Sequence, residues 1–425
     1  MNSPQKIIHN LIIVGTGPSS LASALVAISK GYKPLIVSDV DYKMNIKKNN
    51  YLFNNHIFGG LSNYWGGAIC KITSKEQKKF FFKENLNKYY NFVDTFLHQI
   101  GANDDYAKFY NLNKKIKKIN QYKINFSKKK NIKIGSSRLA IKNNKSFSTK
   151  KIFLNLVKNK KISIIKKFKI DKIFNEKEKI TIFADKKKLF CKKLFLGAGP
   201  YNTGKILINN FKFLKEIKIK ENKLNILFVI LKKKIFYKNN HHFSDFFVTK
   251  IGANAYHNQI YFLKDKLLNR IKKNNFLIFL ILKILNFFLK NKVLLIFNYM
   301  PSNKSDFLIL KKNSKIKIKK NKLNSNKYFN ILKDDTLNIF KNYNPLLLIK
   351  FKTKFGYGNH CGNCLPISKK KQKFKSDYLG RIGNKKNFFI IDSSTLPILP
   401  TNTLTYTLMA HSARITNLAL KKTYE

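Results

Sequence analysis

Residues 11–39 read LIIVGTGPSSLASALVAISKGYKPLIVSD. An apolar run, 11–14, breaks at Gly15-Thr16-Gly17-Pro18-Ser19-Ser20, and small residues then continue at helical spacing to about Lys30. Gly31 turns the chain, and a second apolar run, 35–37, leads to Asp39. Strand, glycine-rich turn, helix and strand make a βαβ unit, which predicts an α/β chain with a Rossmann-like domain. Gly15 permits the tight turn and Gly17 lets a pyrophosphate approach the backbone. Ser20, where such motifs carry Gly or Ala, lets helix and strand pack closely. Pro18 and Ser19 open the helix, whose unpaired N–H groups and dipole favour phosphate. Asp39, at the end of the second strand, is placed to bind ribose hydroxyls. The unit predicts a dinucleotide site, against a plain glycine-rich turn, and does not separate FAD from NAD.

Moving outward, a polar stretch leads to Phe58-Gly59-Gly60-Leu61-Ser62-Asn63-Tyr64-Trp65-Gly66-Gly67, with four glycines around the single Trp of the chain. Backbone so stripped of side chains suits close passage beside a large flat group such as a flavin ring, or a loop packed by a buried Trp. Residues 76–109 carry aromatics at helical spacing and read as one or two surface helices with an aromatic inner face. Short β-rich runs follow at 162–165, 168–173, 179–184 and 194–196. The last enters Gly197-Ala198-Gly199, a second place where backbone could meet the cofactor, or an ordinary left-handed turn. Residues 225–300 begin and end with strand-like runs, 226–231 and 293–297. Between them FLIFLILKILNFFL, 276–289, is too short to span a membrane, which takes about 20 residues. Apolar nearly all round, it reads as a buried helix, with an interfacial helix resting on a membrane as the alternative. Residues 307–319 read as a hairpin turning at Lys312-Asn313, and 323–343 as a helix. Strands without crossover helices predict an antiparallel sheet in this half.

The C-terminal stretch holds Gly358-Asn359-His360-Cys361-Gly362-Asn363-Cys364, a strand at 388–391 ending in Asp392, and TNTLTYTLMA, 401–410, opening a last helix. With the glycine turn, GGLSNYWGG, LGAG and Thr203, these five pieces stand in the order of one family. The sequence resembles the glucose–methanol–choline (GMC) FAD-dependent oxidoreductases, nearest the branch of pyranose oxidases and GMC-like proteins encoded with polysaccharide biosynthesis genes. The resemblance implies a discontinuous FAD-binding domain (1–75, 151–210 and 376–425) with an inserted antiparallel-sheet substrate domain (76–150 and 211–375). It implies oxidation of an alcohol, a sugar or glycan hydroxyl among the candidates, by hydride transfer to FAD. His360 falls on the family's catalytic His and Asn402 on the second member of its His/Asn or His/His pair. Asp392 falls on the carboxylate near the ribityl chain. The helix beginning near Thr403 falls where an N-terminus points at the flavin. The implied cofactor contacts are Gly15, Gly17, Pro18, Ser19, Ser20, Asp39, Gly60, Ser62, Asn63, Trp65, Gly66, Ala198, Asp392 and Thr403. Pyranose oxidases carry the flavin covalently on a His before the Trp; Tyr64 stands there in this chain, which implies non-covalent FAD. The chain is shorter than the family between Arg138 and Ile152 and within the second domain. Two other classes stay open: an NAD(P)-linked dehydrogenase, and a non-catalytic flavin-fold protein binding a membrane-attached glycan precursor.

The pairing of imidazole and carboxamide has a chemical reason. Hydride can leave an alcohol carbon only as the hydroxyl proton departs, and a neutral imidazole takes that proton near neutral pH. The carboxamide can hold the same oxygen and aim the C–H bond.

The chain has 425 residues and a formal charge of +64. Four arginines, Arg138, Arg270, Arg381 and Arg414, stand among lysines spread over the whole length. Lys, Asn, Ile, Phe and Tyr are abundant together, which points to AT-rich codon drift rather than to an Arg-forked nucleic-acid surface. Four cysteines are too few for a disulfide scaffold. Cys361-x-x-Cys364 lacks the further ligands of a zinc site, so no metal is expected. His241-His242 read as surface residues. The short approach to the first strand leaves no room for a signal peptide, so a cytoplasmic protein is expected, with peripheral membrane contact through 276–289 as the variant. The electron acceptor is not legible.

Overall fold

The computed structural model describes residues 7–42, 57–80, 85–97, 121–122, 131–142 and 145–421, apart from 177, 186, 236, 239–241, 253, 273–275, 305, 313–314, 321–325, 354–355, 369–374 and 384. Its first sheet has seven strands. Along the main path run Ser163–Ile165, Leu35–Val37, Ile8–Val14, Lys187–Leu196, Ile180–Ala184 and Lys172–Asn175. The seventh, Phe388–Ile390, lies parallel to the C-terminal end of Lys187–Leu196, whose first half pairs antiparallel with Ile180–Ala184. Ile12 and Val14 enter one core cluster and Leu11 and Ile13 another. A strand covered on both faces needs an unbroken apolar run, which explains why 11–14 shows no alternation.

The Pro18–Ser29 helix returns from that strand through the glycine turn and packs against the last helix, Thr405–Ala419. Small hydroxyls let the two approach: Ser412 Oγ donates to Ser19 O at 2.6 Å, and Thr416 Oγ1 lies 2.8 Å from Ser23 Oγ. Chain start, middle strands and C-terminus thus form one layer, as expected of a Rossmann-like unit assembled from separate segments.

The other half carries the expected antiparallel sheets. A six-stranded sheet orders as Pro345–Lys352, Leu224–Leu231, Val293–Tyr299, Tyr256–Phe262, Phe246–Lys250 and Ile132–Ser136. A four-stranded sheet orders as Lys315–Lys320, Asp306–Lys312, Glu216–Glu221 and Cys361–Gly362. Phe246–Lys250 and Tyr256–Phe262 were not legible as strands. YHNQIYF is buried at every position, so the period-two signal is missing and polar His257, Asn258 and Gln259 interrupt the apolar run.

Helices Ser74–Phe80 and Asn87–Asp94 occupy the expected aromatic stretch, with Tyr89, Tyr90 and Val93 buried. The Tyr90 ring packs on Tyr406 of the last helix at 4.7 Å. Positions 98–109 of that stretch, His241 and Asn313 of the hairpin turn lie outside the described residues.

One expectation is corrected. The 276–289 run forms a helix, Phe276–Phe288, but it is not buried. Phe279 and Leu282 pack on the six-stranded sheet while Leu277, Ile281, Ile284, Phe287 and Phe288 are exposed. A single helix laid on one sheet face can bury only one side, so apolar side chains all round leave half of them in solvent. No helix among the described residues is long and apolar enough to cross a membrane.

Candidate active site

The glycine turn, the sheet ends and residues 357–361 enclose a cavity of about 1100 Å³. That exceeds the ~300–1,000 Å³ of ordinary small-molecule pockets and leaves room for a dinucleotide and a second small molecule. Three helices begin at its wall: Pro18–Ser29, Pro200–Asn210 and Thr405–Ala419. None of the three N-caps, Gly17, Gly199 and Leu404, makes a side-chain capping bond. Pro18 and Pro200 carry no N–H and Asp392 already accepts from Thr203 in the first turn of the second helix, but three positive helix ends at one cavity favour an anionic ligand.

Gly15, at φ +99°, is where the chain turns: a Cβ there would stand 2.4 Å from Gly197 O. At Gly17 a Cβ would meet no protein atom within 4 Å, so the backbone there faces open cavity. Ser20 is away from the cavity and fully buried, its Oγ 3.2 Å from both Val14 O and Gly197 O. It ties helix, first strand and LGAG turn together, which is the packing role of a small residue rather than a ligand contact. Pro18, Ser19, Asp39, Gly60, Ser62, Trp65, Gly66, Ala198, Asp392 and Thr403 all line the cavity. Asn63 does not; its Nδ2 donates to Phe58 O and Gly60 O and holds the glycine-rich loop in shape. Trp65 lines the cavity while its Nε1 donates to Phe147 O at 2.8 Å, so the two readings of that loop are compatible.

His360 is held by backbone. Its carbonyl accepts from Asn222 N at 2.9 Å, Cys361–Gly362 pairs with Lys220 and Glu221, and Gly358 lies so close to Asn222 O that a Cβ would stand 2.4 Å away. The imidazole stacks on Tyr299 at 4.5 Å and 15°. Its Nδ1 is buried without a hydrogen-bond partner, and the residue lines the cavity. Burial lowers its pKa to about 4, so the ring is neutral at pH 7 and able to accept a proton.

Asn402 stands just before the lining residues Thr403, Leu404 and Thr405 and is itself outside the lining. Its Nδ2 donates to Lys71 O at 3.1 Å and its Oδ1 is buried with no partner. Thr403 Oγ1 is likewise buried and unmatched. Buried polar atoms left without partners are costly and mark places where a ligand completes the bonding. Asp392 accepts from Thr203 Oγ1 at 2.5 Å and from Ser394 N at 2.9 Å, and burial raises its pKa.

Several lining residues were not legible in sequence. Gln259, Tyr261 and Tyr299 come from the buried strands of the six-stranded sheet, with Tyr261 Oη donating to Gln259 Oε1 at 3.0 Å. His242, read as surface, lines the cavity with its ring 4.1 Å from that of Phe243. An apolar run bearing one or two polar groups was the available signal. Cys361 and Cys364 are buried in the core cluster beneath the first sheet, and burial pushes both thiols upward, Cys364 to about 12. Among the described residues no group of three or more His, Cys, Asp and Glu could hold a metal ion.

The buried histidines give a stability prediction. His257 is held at about 3, His360 at about 4, and His411 well below 6.5, chiefly by burial. Below pH ~6.5 the unfolded chain binds protons that these folded sites refuse. The stability they confer is complete above pH ~6.5 and lost as pH falls through the folded values, by about 1.4 kcal/mol per pH unit for each. Asp392, raised by burial, acts in the opposite direction in its own range. Urea titrations at pH 7 and pH 5 should show the loss, and His257→Gln should flatten it.

No protein-family profile matches the sequence, and no curated protein matches it. Among solved structures, the crystal structure of pyridoxine 4-oxidase from Mesorbium loti is similar over 96% of this chain and 99% of that one, with a TM-score of 0.64 and 9% identity. The two chains share one fold. Nearly full coverage of both chains means that the likeness takes in the antiparallel half as well as the Rossmann-like half. At this identity it extends to architecture alone, and what the cavity does follows from its own residues.

Proposed function

We propose that the chain is a GMC-like oxidoreductase that binds FAD non-covalently and oxidises an alcohol. The observation that carries this is the convergence of three uncapped helix N-termini and an imidazole with an unmatched ring nitrogen on one large cavity. The residues present fit the cofactor: Gly17 leaves backbone open for a pyrophosphate, Asp39 is exposed at the cavity for ribose, and Thr403 offers an unmatched hydroxyl. Bound FAD would supply the hydride acceptor.

The chain's own residues would do the rest. His360, neutral at working pH, takes the hydroxyl proton as the hydride departs. Asn402, one residue behind the cavity lining, would donate the second N–H of its Nδ2 to the same oxygen and turn the alcohol carbon toward the acceptor. The start of the Thr405–Ala419 helix favours negative charge beside it. Tyr261 and Gln259 offer polar groups to further substrate hydroxyls, so a sugar or other polyol suits the cavity. The FAD-binding part comprises 1–75, 151–210 and 376–425, and the substrate part 76–150 and 211–375.

The test is the absorbance spectrum of the purified protein, followed by anaerobic titration with primary alcohols, secondary alcohols and sugars. Flavin bands that bleach with one class are expected. A colourless protein sinks the cofactor assignment, and a yellow protein that no alcohol bleaches sinks the reaction.

A further inference from the structure

The Phe276–Phe288 helix presents an apolar stripe to solvent, formed by Leu277, Ile281, Ile284, Phe287 and Phe288, with Phe287 80% and Phe288 75% exposed. The stripe continues onto the sheet beneath. On the edge strand Pro345–Lys352, Leu347, Ile349 and Phe351 are exposed and pair in register with Ile230, Phe228 and Ile226. Directly paired residues share a sheet face. Ile226, Phe228 and Ile230 belong to the cluster under the helix, so the three edge residues border it on the same side.

The surroundings are strongly basic, with exposed Asp265 at the start of the neighbouring Asp265–Lys272 helix the nearest acid in sequence. No Asp or Glu occurs in residues 222–244, 266–292 or 336–376. Lys283 and Lys290 are exposed on the helix, and exposed Lys232, Lys233 and Lys234 leave the sheet beside its C-terminal end, where Ile235 N donates to Asn291 O. An exposed apolar stripe bordered by lysines, with no acid in any of its three segments, matches a surface that is apolar within and negative outside.

We propose that this face docks on an anionic lipid bilayer, with the helix lying in the headgroup region and the lysines on lipid phosphates. The same layer supplies Leu267 and Ile271 to the cavity wall, so docking brings the apolar side of the cavity close to lipid. The inference is independent of the flavin chemistry, because binding is read without turnover.

The full chain is sedimented with vesicles of phosphatidylcholine alone and of phosphatidylcholine mixed with phosphatidylglycerol. Binding to the mixed vesicles that weakens with salt is expected, with little binding to the neutral ones. Ile284→Glu/Phe287→Glu should lower the bound fraction by about tenfold or more, since both side chains would have to enter lipid. Both are exposed, so folding measured by circular dichroism should be unchanged. Lys283→Glu/Lys290→Glu should remove the preference for anionic vesicles. Failure of the wild type to bind either vesicle overturns the proposal, as does equal binding by the Ile284→Glu/Phe287→Glu variant. A wild-type dimer in light scattering that the same variant converts to monomer also overturns it, because the face would then join two copies of this chain.

Discussion

His360→Ala should abolish reduction of bound flavin by substrate while leaving the protein yellow, with kcat/KM lowered by about 10²–10⁴-fold, the range for loss of a positioned general base. The loss should be specific because the segment that carries the ring is fixed by backbone: Asn222 N on the His360 carbonyl, the Cys361–Gly362 pairing and the close approach of Gly358 to Asn222 all persist without the imidazole. A second measurement separates a base from a packing residue. Packed protein lowers the His360 pKa to about 4, so the acid limb of the wild-type kcat/KM profile should fall near pH 4 rather than near 6.5. An alanine variant with residual activity should lose that limb. A variant that reduces flavin at the wild-type rate removes His360 from the chemistry.

The second large effect separates two glycines of the same turn. Gly15→Ala places a Cβ 2.4 Å from the Gly197 carbonyl oxygen on a backbone at φ +99°. Neither partner is a movable side chain, so the first strand and the LGAG turn must part, at a cost of about 3 kcal/mol or more. The apoprotein itself should be destabilised in urea. For Gly17→Val the added Cβ meets no protein atom within 4 Å, and Gly17 sits in extended backbone, φ −76° and ψ −177°, that valine adopts readily. Its apoprotein should unfold like the wild type, while its dissociation constant for FAD should rise about a hundredfold or more, about 2.7 kcal/mol. Equal FAD affinity in the Gly17→Val variant would place the cofactor elsewhere.

How far the sequence could be read depended on periodicity and on where buried groups point. The βαβ unit was legible because tight turn, small-residue helix and doubly buried strand each leave a local signature. The antiparallel half was legible as a class, since its strand runs lack crossover helices. Two of its strands were not, because His257, Asn258 and Gln259 are polar residues buried in a sheet interior, where tertiary partners replace the alternation that reveals a half-solvated strand. The same burial hid Gln259, Tyr261 and Tyr299 as cavity residues. The Phe276–Phe288 helix misled for the opposite reason: composition registers apolar side chains but not whether a second layer covers them. Ser20 and Asn63 were singled out correctly as residues of the two turns, but their side chains bond to protein backbone, a distinction that spacing alone does not carry.

The small hydroxyls that join the first and last helices have a kinetic meaning. Ser19 and its partner Ser412 are separated by 393 positions, and the strand Lys187–Leu196 waits for Phe388–Ile390 to complete its pairing. Contacts of such separation form slowly and late. A ribosome must therefore deliver the chain through about residue 412 before the first sheet and its paired helices can close, and until then the strand Lys187–Leu196 keeps one side of its C-terminal end unpaired.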